Sequence, residues 1–285
     1  MHRSAIIFTI ILMSMLPAWT AEEGGGRGEL LGENPHYQAL GETYTISCPT
    51  AWTRARGNFD VHMSLEPFLV SGNLSLTDFL GFGVSYGGEA VVGYGDPIMN
   101  PRPCFQAKVQ LTNGSEIVPA IAVGYDDQGQ GQFIENGMFE DGKFVITDDP
   151  GAVEYDRYLV KCKGIYGVLS QEYEFLGYIG IHAGANYAIT ETNDDKSPDG
   201  WVALEKSFGP DIDLVSAYDF GFNDDSDEAF GGDGPGFLDA GIRFKLAPEF
   251  KLEFYCKNLL NNQRTKLGEM GSWNRVLAFT YIITF

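Results

Sequence analysis

The 285-residue chain has little that would let it bind nucleic acid, hold zinc or cross a membrane as a helix. Lysine and arginine number 19 against 39 aspartates and glutamates, a formal charge of −20, so nucleic-acid phosphates would be repelled. Its four cysteines, Cys48, Cys104, Cys162 and Cys256, are widely separated and form no C-x-x-C pair. That spacing excludes the usual zinc arrangements and leaves any disulfide unassigned. Beyond the N-terminus, no apolar run approaches the roughly 20 residues that a membrane-crossing helix needs. Glycine (36), phenylalanine (20) and tyrosine (14) are plentiful instead.

The opening MHRSAIIFTIILMSMLPAWTAEE has a cationic start at Arg3, an uncharged apolar stretch from Ala5 to Leu16 and a break at Pro17. This pattern reads as a secretory signal peptide over residues 1–21, with Ala21 a plausible last residue. No cysteine follows the apolar stretch, which argues against a lipoprotein anchor. Residues 22–42, EEGGGRGELLGENPHYQALGE, are glycine-rich and polar and read as a flexible lead-in. Residues 43–285 remain for one large all-β domain.

The last strand shows the pattern at its fullest. In SWNRVLAFTYIITF, Trp273, Leu277, Phe279, Tyr281, Ile283 and Phe285 share one face, and the chain stops on that aromatic. Upstream, Leu238, Ala240, Ile242, Phe244 and Leu246 alternate with Asp239, Gly241, Arg243 and Lys245. Phe250, Leu252, Phe254 and Cys256 likewise alternate with Lys251, Glu253, Tyr255 and Lys257. Period two means strands. About twelve fit between residues 58 and 285, including strands at 115–126 and 155–172. Tight turns (LTDF, TNGS, EYEF, SFGPD, LAPEF) alternate with long connections at 88–102, 127–154, 191–198, 224–235 and 261–271. A polar face mixing glycine and alanine with charges of both signs suits an enclosed, wet interior rather than bulk water. The expected fold is an all-β, transmembrane, antiparallel up-and-down β-barrel in the bacterial outer membrane. Its short turns and the 22–42 segment would face the periplasm. A free sheet edge is not tolerated in lipid, so the last strand must pair with the first. Phe279, Tyr281, Ile283 and Phe285 then read as the signal recognised by barrel-assembly machinery.

Several stretches carry a family resemblance: SCPTAW at 47–52, NPRP at 100–103, VPAIAVGYDDQGQG at 118–131, KCKGIYGVLS at 161–170, EKSFGPDIDLVSAYD at 205–219 and FLDAGIRF at 237–244. Together these resemble the YjbH-like outer-membrane barrels associated with exopolysaccharide biosynthesis. The resemblance implies outer-membrane lipid and lipopolysaccharide as surroundings and polysaccharide-export components as partners. It implies no catalytic residues and no cofactor.

Strand phasing sends Lys161, Lys163, His182, Glu205, Asp219, Asp239, Arg243, Lys245, Lys251, Glu253 and Lys257 into the lumen. Two uses of that lumen stay open. The charges line a path for a polar solute, making the protein a passive pore or export-associated barrel. Alternatively they pair and close the lumen, leaving the acidic loops as a surface for interaction. The acidic clusters at 126–127, 148–149, 194–195 and 224–228 read as solvated loop charge. DKSPDG at 195–200 has calcium-loop spacing but lacks the glutamate at position twelve, where Lys206 stands. His62 and Ser64, in DVHMSLEP, are a third option: a base beside a nucleophile, as an outer-membrane hydrolase would need.

Overall fold

The computed structural model describes residues 42–65, 67–92, 96–115, 117–140, 143–191, 197–224, 235–262 and 274–285. The expected signal peptide and all but the last residue of the 22–42 lead-in lie outside them. Twelve strands build a single wall: β1 (Asn58–Leu65), β2 (Phe68–Thr77), β3 (Leu80–Glu89), β4 (Cys104–Thr112), β5 (Ala120–Asp126), β6 (Gly164–Glu174), β7 (Tyr178–Tyr187), β8 (Asp199–Ser207), β9 (Ile212–Asp219), β10 (Phe237–Ala247), β11 (Phe250–Lys257) and β12 (Asn274–Thr284). Each runs antiparallel to the next, and β12 returns to β1 with Phe279 opposite Met63 and Thr284 opposite Asn58. The sheet therefore closes and keeps no edge, the all-β barrel that the alternation predicts.

The burial pattern is inverted relative to a water-soluble fold. Large apolar side chains such as Phe82, Phe105, Leu204 and Phe254 stand about half exposed on the outer face. Their strand neighbours point inward and are buried: Lys108 and Glu205 at 6% and 0% exposure, and Glu253 at 6%. Other inner positions hold hydroxyls and rings, such as Ser85, Ser170, Tyr166 and Trp201, beside small residues such as Ala122 and Ala278, and at the glycines close approach matters. A Cβ on Gly184 would come within 2.1 Å of the Trp201 ring, so the indole lies over bare backbone.

The connections at one end are short, at 77–80, 174–178, 207–212 and 247–250, and the strand termini 58 and 284 belong to this end. The opposite end carries the long ones, apart from the two-residue link between Leu65 and Phe68. The longest holds a separate three-stranded sheet, residues 130–140, 143–146 and 153–160. This corrects the expected strand at 155–172. Residues 161–164 are buried in succession, which a wall strand with one outward face does not permit, and Gly164 takes φ 59 to restart the wall. The strand expected from 115 begins at Ala120. Gly114 at φ 78 and the bond from Ser115 N–H to the Val118 carbonyl (2.7 Å) make the preceding residues a turn.

Candidate functional site: a filled lumen

The lumen is occupied by the chain itself. Tyr44–Thr45 and Cys48–Pro49 pair as a minimal antiparallel hairpin, extended by Thr50 N–H donating to the Thr43 carbonyl at 3.0 Å. Its tip residue, Ile46, has φ 56, a left-handed conformation uncommon for a β-branched residue. The Ile46 side chain packs against Tyr255, Val276 and Ala278 of the wall, and this contact holds the strained tip. Sequence reading had no place for this element. Strands of two residues carry no periodic signal, and every docking partner is remote in sequence.

The docking bonds are polar and run along both legs. Thr45 Oγ1 donates to Glu205 (2.8 Å), Tyr44 OH to Asp126 (3.0 Å) and Ser47 Oγ to Asp239 (3.2 Å). Lys108 Nζ reaches the carbonyls of Thr43 (2.7 Å) and Trp52 (3.3 Å), stapling the two legs together. Lys251 pairs with Glu42. On the returning leg, Ala51 N–H donates to Ser170 Oγ (2.8 Å). That hydroxyl in turn lies 2.8 Å from His182 Nδ1, whose ring meets Trp52 edge-on.

The wall charges form their own network beneath the hairpin. Arg243 is the hub: Nε to Glu253 at 2.7 Å and Nη1 to Glu205 at 3.1 Å, with Asp213 3.9 Å away. Lys245 takes the other Asp213 oxygen at 2.9 Å. Lys163 pairs with Asp219 and lies 5.0 Å above the Trp201 ring. Such buried charges persist only when paired and hydrogen-bonded. Of the eleven residues assigned to the lumen from strand phasing, nine stand on wall strands with buried or half-buried side chains, whereas Lys161 and Lys163 lie in the connection before β6. Arg243 joins Glu205 and Glu253, and Lys251 meets the hairpin.

At the long-loop end the three-stranded sheet is tied to several points on the ring. Arg157 grips Asp224 with two bonds (2.8 and 2.9 Å), and Lys161 donates to the Asn223 carbonyl at 3.0 Å. Glu191 accepts from the backbone of Tyr158 (3.1 Å) and Cys162 (2.7 Å). Lys257 reaches Gln130 at 3.0 Å, and Ser85 reaches Gln128 at 2.9 Å. Burial raises the Glu191 carboxyl to about 7 against those donors and the nearby Arg157 and Lys161. Acidic residues read as solvated loop charge are thus partly structural: Asp126, Asp127 and Asp224 are buried, whereas Asp148 and Asp149 are exposed. Residues 194–196 and 225–228 of the other acidic runs lie outside the described residues.

Between the hairpin and β1–β3 a side cavity of about 150 Å³ remains. Asp60, His62, Ser71, Asn73, Glu253 and Thr280 are among its walls. Here His62 and Ser64 part company. His62 Nδ1 bonds Thr280 Oγ1 at 3.0 Å, while Ser64 Oγ donates to the Pro67 carbonyl at 2.7 Å. The hydroxyl is directed at that carbonyl and not at the imidazole, so the two side chains do not form a base–nucleophile pair.

No family model and no curated protein matches the chain. Among solved structures it is similar to the NanC porin in a rhombohedral crystal form, with 9% identity and a TM-score of 0.39, over 80% of this chain and 98% of that one. It is also similar to Salmonella typhi OmpF in complex with daunomycin (13% identity, TM-score 0.31), over 75% of this chain and 61% of that one. The ferric yersiniabactin uptake receptor FyuA from Yersinia pestis gives 15% identity and a TM-score of 0.23, over 80% and 46%.

Proposed function

We propose that the protein is a non-enzymatic, pore-type barrel of the bacterial outer membrane, serving a small polar solute and closed in the conformation described. The observation that carries this is the inverted burial: an apolar outer band on every face of a closed barrel and an interior of charge and hydroxyls. An aqueous sheet protein would lose by exposing that band, whereas lipid accepts it and leaves the interior to water and solute. The small solute is favoured over a polysaccharide because the side cavity has room only for the former while the hairpin is docked. A glycan chain would have to displace the hairpin entirely. The polysaccharide-export role that the family resemblance implies would therefore require that displacement.

The test is single-channel recording of the refolded, signal-free protein in a planar bilayer, beside a variant lacking residues 42–54. Discrete conductance that grows on deletion is expected. A deletion variant that folds yet stays silent would sink the pore reading and leave a closed barrel acting through its outer loops.

A further inference from the structure

Both legs of the lumen hairpin reach the same mouth of the barrel. Glu42 meets Lys251, beside the short 247–250 turn. The tip reaches across to Asp239, near the long-loop end of β10. The chain then returns: Thr53 Oγ1 donates to the Asp78 carbonyl, Arg56 N–H to the Asp78 carboxylate (2.7 Å) and Gly57 N–H to the Ser75 carbonyl (2.9 Å), where β1 begins. An element that enters and leaves by one opening can slide out without being threaded.

The contacts suit release. Apart from the apolar contacts of Ile46, Cys48, Ala51 and Trp52, the hairpin is held by hydrogen bonds and ion pairs that water can replace, modest in net worth between neutral groups and about twice as strong to charged ones. Most wall charges keep wall partners in its absence: Arg243 has Glu253 and Glu205, Lys245 has Asp213, and Lys163 has Asp219. Two lysines differ. Among the described residues, the hydrogen-bond acceptors of Lys108 and Lys251 all belong to the hairpin. The strained Ile46 backbone adds a push outward, since that conformation needs the wall to hold it.

We propose that residues 42–54 are a withdrawable plug that leaves as an intact hairpin through the short-turn mouth, and that Lys108 and Lys251 are its latch. This rests on the pore reading only for its consequence, the opening of the lumen. The withdrawal itself can be tested without any conduction.

Cys48 reports the position of the plug, being 1% exposed when docked. In a protein whose Cys104, Cys162 and Cys256 are replaced by alanine, refolded into vesicles, labelling of Cys48 by a water-soluble maleimide is timed. Lys108→Gln with Lys251→Gln is expected to speed labelling at least tenfold, with circular dichroism unchanged. Should that wall variant not fold, Glu42→Ala on the hairpin removes the Lys251 latch bond, together with the hairpin's own Glu42–Arg54 pair, without touching the barrel and should speed labelling several-fold. Unchanged rates in folded variants would overturn the proposal. Conductance separates the two ideas. A variant carrying Ser47→Cys, Asp239→Cys and Cys48→Ala should fall silent when oxidised and reopen with reductant. Faster Cys48 labelling with no conductance in any variant would leave the plug and sink the pore. Conductance unaffected by oxidation of the Ser47→Cys, Asp239→Cys pair would sink the plug and leave the pore.

Discussion

Thr45 and Glu205 are 160 residues apart in the chain and 2.8 Å apart in the lumen, both at 0% exposure. The hydroxyl supplies a donor to a carboxylate that Arg243 satisfies only in part. Removing a hydrogen bond to a buried charge costs about 1.5–3 kcal/mol. Thr45→Val preserves shape and deletes the donor, so it should loosen the hairpin without disturbing the wall. Hydrogen exchange at the Thr50 amide, which closes the hairpin onto Thr43, should accelerate roughly tenfold to a hundredfold. The amides of β8 should not change.

Arg243 supports three carboxylates at once, so its loss should be felt across the barrel. Arg243→Met would leave Glu205 and Glu253 buried without their cation, a change that costs about 3–5 kcal/mol in comparable buried pairs. A lower midpoint of urea unfolding in lipid vesicles is the expected outcome. Arg243→Lys should recover only part of the loss, since a single ammonium cannot reach both Glu205 and Glu253 with the fork geometry of the guanidinium. Full recovery by lysine would mean that charge alone, and not the fork, holds the hub.

Much of the wall was legible because a barrel strand writes its two environments into alternate residues. Asp239, Arg243, Lys251 and Glu253 fall inside, and Ile242, Leu246 and Phe254 outside, by phase alone. What phase cannot show is which inward charges find each other. Nor can it reveal an element with too few residues to have a phase. Tyr44, Cys48 and Trp52 were a signal of a kind, because they lie between the lead-in expected to end at 42 and the first strand expected from 58, where their apolar and aromatic side chains had no element to serve. Lys108 was another: it is the one charged residue in β4, CFQAKVQLT, and no carboxylate of that strand can pair with it. The loop sheet over 130–160 escaped for a different reason. Its strands are fixed by remote anchors such as Asp224 and Glu191, and the alternation over residues 155–172 begins before Gly164, where the chain rejoins the wall.

The outer face offers a direct test of the membrane reading. Leu204 stands 47% exposed near the middle of β8, beside the inward Glu205. If lipid covers it, Leu204→Arg should destabilise the barrel by about 2–4 kcal/mol in a bilayer. Arginine at Phe208, 60% exposed beyond the strand end, should cost much less because it can reach the interface. Comparison of urea unfolding midpoints in phospholipid vesicles decides the matter. Equal, small effects at both positions would place the outer band in water.

Glu191 makes the outer loop sensitive to pH in an unusual direction. Burial lifts its carboxyl from an ordinary value near 4.5 to about 7, so the folded loop binds a proton that the open loop releases. The stabilisation is therefore complete below about 4.5 and is lost as pH rises towards 7, by up to roughly 3 kcal/mol. Arg157 and Lys161 face the carboxyl and limit the shift, and Arg157 is already engaged by Asp224. The amides of Tyr158 and Cys162, which donate to Glu191, should become less protected from hydrogen exchange across that interval once intrinsic rates are divided out. Glu191→Gln keeps an acceptor and cannot ionise, so its protection should be flat with pH. A parallel decline in both proteins would assign the pH response to another group and leave Glu191 a structural acceptor alone.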